Sequence, residues 1–258
     1  MNADRTVYGR YGSRGGKEAG TSVSLDGFKK AMSGALELHA NYPRNKRSLV
    51  GKTGLALPWR TPEVVPELKG KHRKDDITQK GCIHCHDVQD AMVPSLRAAG
   101  KPVADRVIWP YPMPDTLGLK MAVHERAVVE AATNASPAEQ AGFESGDEIL
   151  TMEGQPLISI ADIQWILHQA PGTGEIEAEV NRNEQKTKLV LPLEKGWRRK
   201  GDMSWRTMGW HVSRLPGFQM RTRPSGNWQL SSPTRQQYLA ARTGCGSRHC
   251  RRRCDCGN

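Results

Sequence analysis

The chain has 258 residues, 37% of them hydrophobic, with a mean hydropathy of −0.63 and a formal charge of +11 at pH 7. That length suits one or a few small domains with modest cores and polar linkers. No apolar run approaches the roughly 18 residues of a membrane span, which excludes a spanning helix by sequence. The positive charge is concentrated at the end: residues 221–258 carry eight Arg and one Asp, while the rest is near balance. A nucleic-acid role for the body of the chain is therefore not expected.

Residues 1–45 open with Thr6-Val7-Tyr8 and Tyr11, read as a short strand before a turn at residues 12–16. A helix follows, with Asp26 as N-cap and Phe28, Met32, Ala35, Leu36 and His39 on one face at helical spacing. Pro43 ends it. Such a pair cannot bury a core alone. Residues 2–12 resemble the last hairpin of a thioredoxin fold, and residues 26–41 its closing helix. The resemblance implies that the C-x-x-C and most of the sheet lie upstream, so the chain is expected to lack its natural N-terminus and any export signal. The alternative is an extension that docks on the next domain.

Residues 46–114 contain the C-x-x-C-H sequence Cys82, Cys85 and His86, the attachment signature of a c-type haem. Two thiols on one helical turn can each add to a haem vinyl group, and the imidazole after the second is then held beneath the iron as axial ligand. A helix from Cys82 to Met92, disturbed by Pro94, would carry them. Met113, in the run Trp109-Pro110-Tyr111-Pro112-Met113-Pro114, is the first candidate for the sixth iron ligand; Met92, Met121, His124 and His72 follow. Trp109 and Tyr111 either wall the haem or pack against the next domain. A dithiol, or a zinc site using His84, His86 or His72, is the alternative. Because haem c is attached outside the bacterial cytoplasm, the haem reading implies a periplasmic or otherwise extracytoplasmic protein with a redox partner.

Residues 115–195 are the most informative about fold. Ser136, Pro137 and Gly142 bracket a short helix as N-cap, first residue and left-handed end. Residues 148–152 read as a strand between turns at Gly146-Asp147 and Glu153-Gly154. Ser159 caps a second helix with Ile160, Ile163, Ile166 and Leu167 on its apolar face. Ile176, Ala178 and Val180 alternate with acids, and Asn183-Glu184 turns into Leu189, Leu191 and Leu193. This order resembles the PDZ family, above all the bacterial PDZ domains attached to periplasmic proteases. The resemblance implies binding of a protein C-terminus or extended peptide as an added strand. It makes Leu117, Gly118 and Leu119 the carboxylate loop, residues 120–123 the pairing strand, and Ile163 and Leu167 pocket residues on the facing helix. The proline run upstream is a departure that crowds the loop.

Residues 196–220 read as a β extension, with Trp197, Trp205 and Trp210 covering the sheet. Residues 221–258 form a basic Cys/Arg-rich tail whose Cys245, Cys250, Cys254 and Cys256 fit no common zinc spacing; disorder is expected. No Gly-x-Ser-x-Gly turn or serine protease triad is present, so no self-contained catalytic constellation is expected. The expected class is α+β: a PDZ-like, partly open β-barrel with two helices, preceded by a small, mostly helical C-x-x-C-H segment and the end of a thioredoxin-like domain. The three parts together resemble bacterial proteins joining thioredoxin-like and PDZ domains. Two functions follow. One is a PDZ protein carrying one covalent haem for electron transfer; the other is a non-haem PDZ adaptor with a dithiol or metal site, associated with protein quality control or proteolysis.

Overall fold

The structure, a computed structural model, describes residues 1–12, 22–54, 59, 61, 64–68, 85–201, 219–222 and 228–231. Its contacts divide the chain into two units, Met1–Asp202 and Met203–Asn258.

Helix α1 spans Leu25–Ala40. Its N-cap is Ser24, whose Oγ accepts the Gly27 N–H at 3.0 Å, and not Asp26. Asp26 lies in the first turn, where its charge suits the positive end of the helix dipole. The apolar stripe expected from the sequence faces outward: Phe28, Met32 and Leu36 are exposed, as is Leu25. The buried face is instead Gly27, Ala31 and Gly34. Small residues let the helix backbone approach its neighbours closely. A Cβ added at Gly34 would fall less than 3.0 Å from the Ile158 side chain.

Residues 6–8 form no strand ladder, correcting the expected hairpin. The Thr6 main chain is satisfied locally by Asn2 and Asp4, whereas that of Arg10 is satisfied by side chains far along the chain. The Arg10 N–H donates to Asp162 at 3.1 Å, and the Arg10 carbonyl accepts from Ser159 Oγ. Tyr8 is buried and shares a 2.6 Å hydrogen bond with His39 Nδ1.

Helix α2 (Lys46–Leu49) leads into a 3-10 turn at Val50–Lys52. Helix α3 covers Cys85–Ala98 and runs further than the expected end at Met92; the expected start at Cys82 lies outside the described residues. It passes through Pro94, which sits on the exposed side, while Ala91 packs with Val65 and Leu68 in a small cluster. A four-residue helix α4 (Asp105–Ile108) follows.

Strands β1 (Leu119–Met121) and β2 (Val129–Ala132) pair antiparallel. The pairing strand is thus shorter than the expected residues 120–123 and begins one residue earlier. Helix α5 is Pro137–Gln140, with Ser136 accepting from the Glu139 N–H. Strands β3 (Glu148–Met152) and β4 (Gln155–Pro156) precede helix α6 (Ile160–Gln169), capped by Ser159. Strands β5 (Gly174–Arg182) and β6 (Gln185–Leu193) complete an antiparallel sheet ordered β4-β3-β5-β6. The β1–β2 pair joins it through a Val128–Glu148 bridge and the Ile149 N–H bond to Ala127. Asn183 and Glu184 both take positive φ, the mirror-image turn that matches the twist of a hairpin. Ile176, Ala178 and Val180 face the core from β5, as the alternation required.

Asp147, expected only to turn the chain, is fully buried. Arg182 donates to it from Nε at 2.7 Å and Nη2 at 2.8 Å, and the Glu144 N–H adds a bond at 2.9 Å. Burial pushes the Asp147 carboxyl up, but Arg182 and that N–H outweigh it and hold the group below its ordinary value.

Trp197–Lys200 is a 3-10 turn, which corrects the expected β extension at its start. Gly196, at φ 81°, takes the chain out of the ladder. Trp197 enters the core and its Nε1 donates to the Pro171 carbonyl at 3.0 Å. Arg198, also buried, donates to the carbonyls of His168 and Ala170 at the C-terminal end of α6, where helix carbonyls run out of intrahelical donors. Trp205 and Trp210 lie outside the described residues.

In the second unit, β7 (Gln219–Thr222) pairs antiparallel with β8 (Trp228–Ser231). The start of the tail expected to be disordered therefore contains a strand pair. The four tail cysteines lie outside the described residues.

Candidate functional site

The site is built around the outer edge of β1. Leu117 ends a 3-10 turn at Pro114–Leu117, and Gly118 follows at φ 90° before Leu119 starts the strand. A side chain at Gly118 would meet Ser136 at less than 3.0 Å, so the turn needs glycine twice over, for conformation and for space. The Thr133 N–H bonds to the Gly118 carbonyl at 2.8 Å, and the Ala122 N–H to the Val128 carbonyl at 2.9 Å. Gly118 and Ala122 therefore face β2. In an antiparallel pair the bonding direction alternates, so Leu119 and Met121 aim their N–H and C=O groups away from β2. Neither pairs with another strand among the described residues.

The expected carboxylate loop is partly committed to itself. The Gly118 N–H bonds to the carbonyls of Asp115 and Pro114, and the Thr116 N–H to that of Met113. The proline run upstream does crowd this end. Tyr111 stacks on His168 with ring centroids 4.2 Å apart, and Gln164 Nε2 donates to the Tyr111 carbonyl at 3.1 Å and to Met113 Sδ at 3.0 Å. Tyr111 thus packs against α6, and the sulfur of Met113 is engaged by the same helix. Ile163 and Leu167 are 0% and 1% exposed and belong to the main core. Their side chains serve packing here, which alternation along α6 alone did not separate from pocket lining.

The opposite end is closed by the N-terminal segment, the docking extension that the sequence offered as its alternative to a thioredoxin remnant. Ser24 Oγ donates to the Val123 carbonyl at 2.8 Å. Lys30 pairs with Glu125, and Arg126 with Glu37, along the turn after β1. Beside α6, Lys52 Nζ lies 3.0 Å from Asp162, both side chains being 1% exposed. Arg10 covers the ring of Trp165 at 3.8 Å, while Trp165 Nε1 donates to the Gly51 carbonyl at 2.8 Å. Burial pushes the Asp162 carboxyl up and the Lys52 ammonium down; their mutual attraction opposes both shifts, and the Ile158 N–H also opposes that of Asp162. The signal that would have found this docking is the Gly27, Ala31 and Gly34 spacing, a small-residue face opposite the apolar one.

The C-x-x-C-H sequence is only partly placed. Cys85 and His86 open α3, whereas Cys82, His84 and His72 lie outside the described residues. Met92 is half-buried on α3, Met121 is buried on β1, and His124 is exposed in the following turn. Among the described residues, no three His, Cys, Asp or Glu side chains gather as a metal site, and no helix is long and apolar enough to cross a membrane.

No curated protein matches the chain. The family model described as PDZ domain matches residues 115–193. With the paired strands, capped helices and glycine turn of that segment, the match establishes that the chain carries a PDZ domain at residues 115–193.

Proposed function

We propose that this PDZ domain binds an extended peptide as an added strand along the outer edge of β1, with its C-terminal end beside the Leu117, Gly118 and Leu119 turn. The outward main-chain groups of Leu119 and Met121, which pair with no strand among the described residues, carry the reading. Strand addition takes its affinity from main-chain bonds and its selectivity from side-chain positions. Amide hydrogen exchange tests it. A peptide selected from a random free-carboxylate library is expected to slow exchange at Leu119 and Met121 and leave Lys120 and Ala122 unchanged. Protection elsewhere, or none, would discard the edge as the site. Repeating the titration with the peptide carboxamide measures what the carboxylate adds beyond the strand.

The C-x-x-C-H sequence supports a second reading, one covalent haem c on Cys82 and Cys85 with His86 as axial ligand and an extracytoplasmic redox role. Its support is the motif itself, with Cys85 and His86 opening a helix. Met113 is a weaker sixth ligand than its sequence setting suggests, since Gln164 engages its sulfur. Expression with the cytochrome c maturation machinery, followed by denaturation and solvent extraction, is expected to leave a pyridine haemochrome band on the protein. A bare protein with two titratable thiols would leave the dithiol or metal-site adaptor.

A further inference from the structure

We infer that α1 sets the length of peptide this edge reads, so that main-chain recognition spans about four ligand residues and stops at Val123. The inference rests on the strand-addition reading above. A peptide antiparallel to β1 meets outward groups at every second residue: Leu119, then Met121, then Val123. Each step moves the ligand two residues toward its own N-terminus. The third position is already taken, because the Val123 carbonyl accepts from Ser24 Oγ. Space is closed as well, since a Cβ at Gly27 would fall less than 3.0 Å from that same oxygen.

The stop is held from several sides. Ser24 Oγ also accepts the Gly27 N–H as helix cap. The Tyr11 hydroxyl donates to the Ser24 carbonyl at 2.5 Å and accepts the Ser24 N–H at 3.0 Å. The Tyr11 ring meets Phe28 edge-on at 5.3 Å, and the Lys30–Glu125 and Arg126–Glu37 pairs fasten the rest of α1 to the turn beyond Val123. The ligand class is accordingly a short extended segment anchored near Gly118, with its upstream chain leaving the edge over the first turn of α1.

The test trims a decapeptide selected from a random free-carboxylate library, residue by residue from its N-terminus, and measures Kd with the full chain. Affinity is expected to change less than about threefold down to the tetrapeptide and to fall by about tenfold or more at the tripeptide. Steady loss from decapeptide to pentapeptide would overturn the length limit while leaving strand addition standing. Failure of any peptide to bind would remove both. Gly27→Ala, which drives a methyl group against the Val123 carbonyl and lifts the first turn of α1, is expected to make the decapeptide gain about threefold or more over the tetrapeptide. Ser24→Asp, which keeps a capping acceptor but loses the donor to Val123, is expected to move the same way. A flat length dependence in both variants would show that α1 is not the stop.

Discussion

Asp162→Ala is expected to destabilise the protein by about 3–5 kcal/mol, the range for removing one partner of a buried ion pair. The loss has identifiable parts. Lys52, 1% exposed, would be left in the interior without its counter-charge, and Arg10 would lose the same carboxylate. The N–H groups of Arg10 and Ile158 would lose their acceptor at the start of α6. Burying an ion without a partner costs more than the pair contributed, because desolvation is no longer offset. The double variant Lys52→Met/Asp162→Asn should recover part of the loss, since no lysine is then stranded and one acceptor oxygen remains. Urea unfolding of the full chain checks both. A change below about 1 kcal/mol for Asp162→Ala would mean that the N-terminal segment is not seated on α6 in solution.

The second large effect is expected at Gly118→Ala, at about 2–5 kcal/mol. Left-handed backbone at φ 90° costs a non-glycine residue roughly 1–2 kcal/mol. The new methyl group would also collide with Ser136, which caps α5, and overpacking of this kind costs about 1–3 kcal/mol. Adding Ser136→Gly should return the steric part, because glycine remains a fair N-cap, and leave the conformational part. Thermal unfolding of the single and double variants separates the two. Equal stability of Gly118→Ala and the parent chain would contradict the close approach of this turn to α5.

Local signals in residues 136–193 were legible because each has one physical meaning. Ser136 and Ser159 cap the helices they were read to cap, β3 has the expected extent, and α6 buries the expected face of Ile160, Ile163, Ile166 and Leu167. Strand β2 was missed: its Val-Glu-Ala-Ala run has little β propensity, and its place comes from pairing with β1. The Trp pattern after β6 suggested alternation, but a left-handed glycine at 196 ends the ladder and turns Trp197 inward. The N-terminal docking was least legible. Its contacts are polar, local in no window of sequence, and join residues about 100 to 150 positions apart. The apolar stripe of α1 drew attention to the wrong face, since close helix approach is carried by Gly27, Ala31 and Gly34.

The C-terminal bracket formed by Trp197 and Arg198 alters what counts as one folding piece. The family match ends at residue 193, yet the indole that fills the core beside Pro171 and the guanidinium that tops α6 lie beyond it. A boundary drawn by likeness would sever the plug from the cavity it occupies and bare the final carbonyls of the helix. Among the described residues, the folding piece built on this domain runs at least to the buried side chain of Arg198.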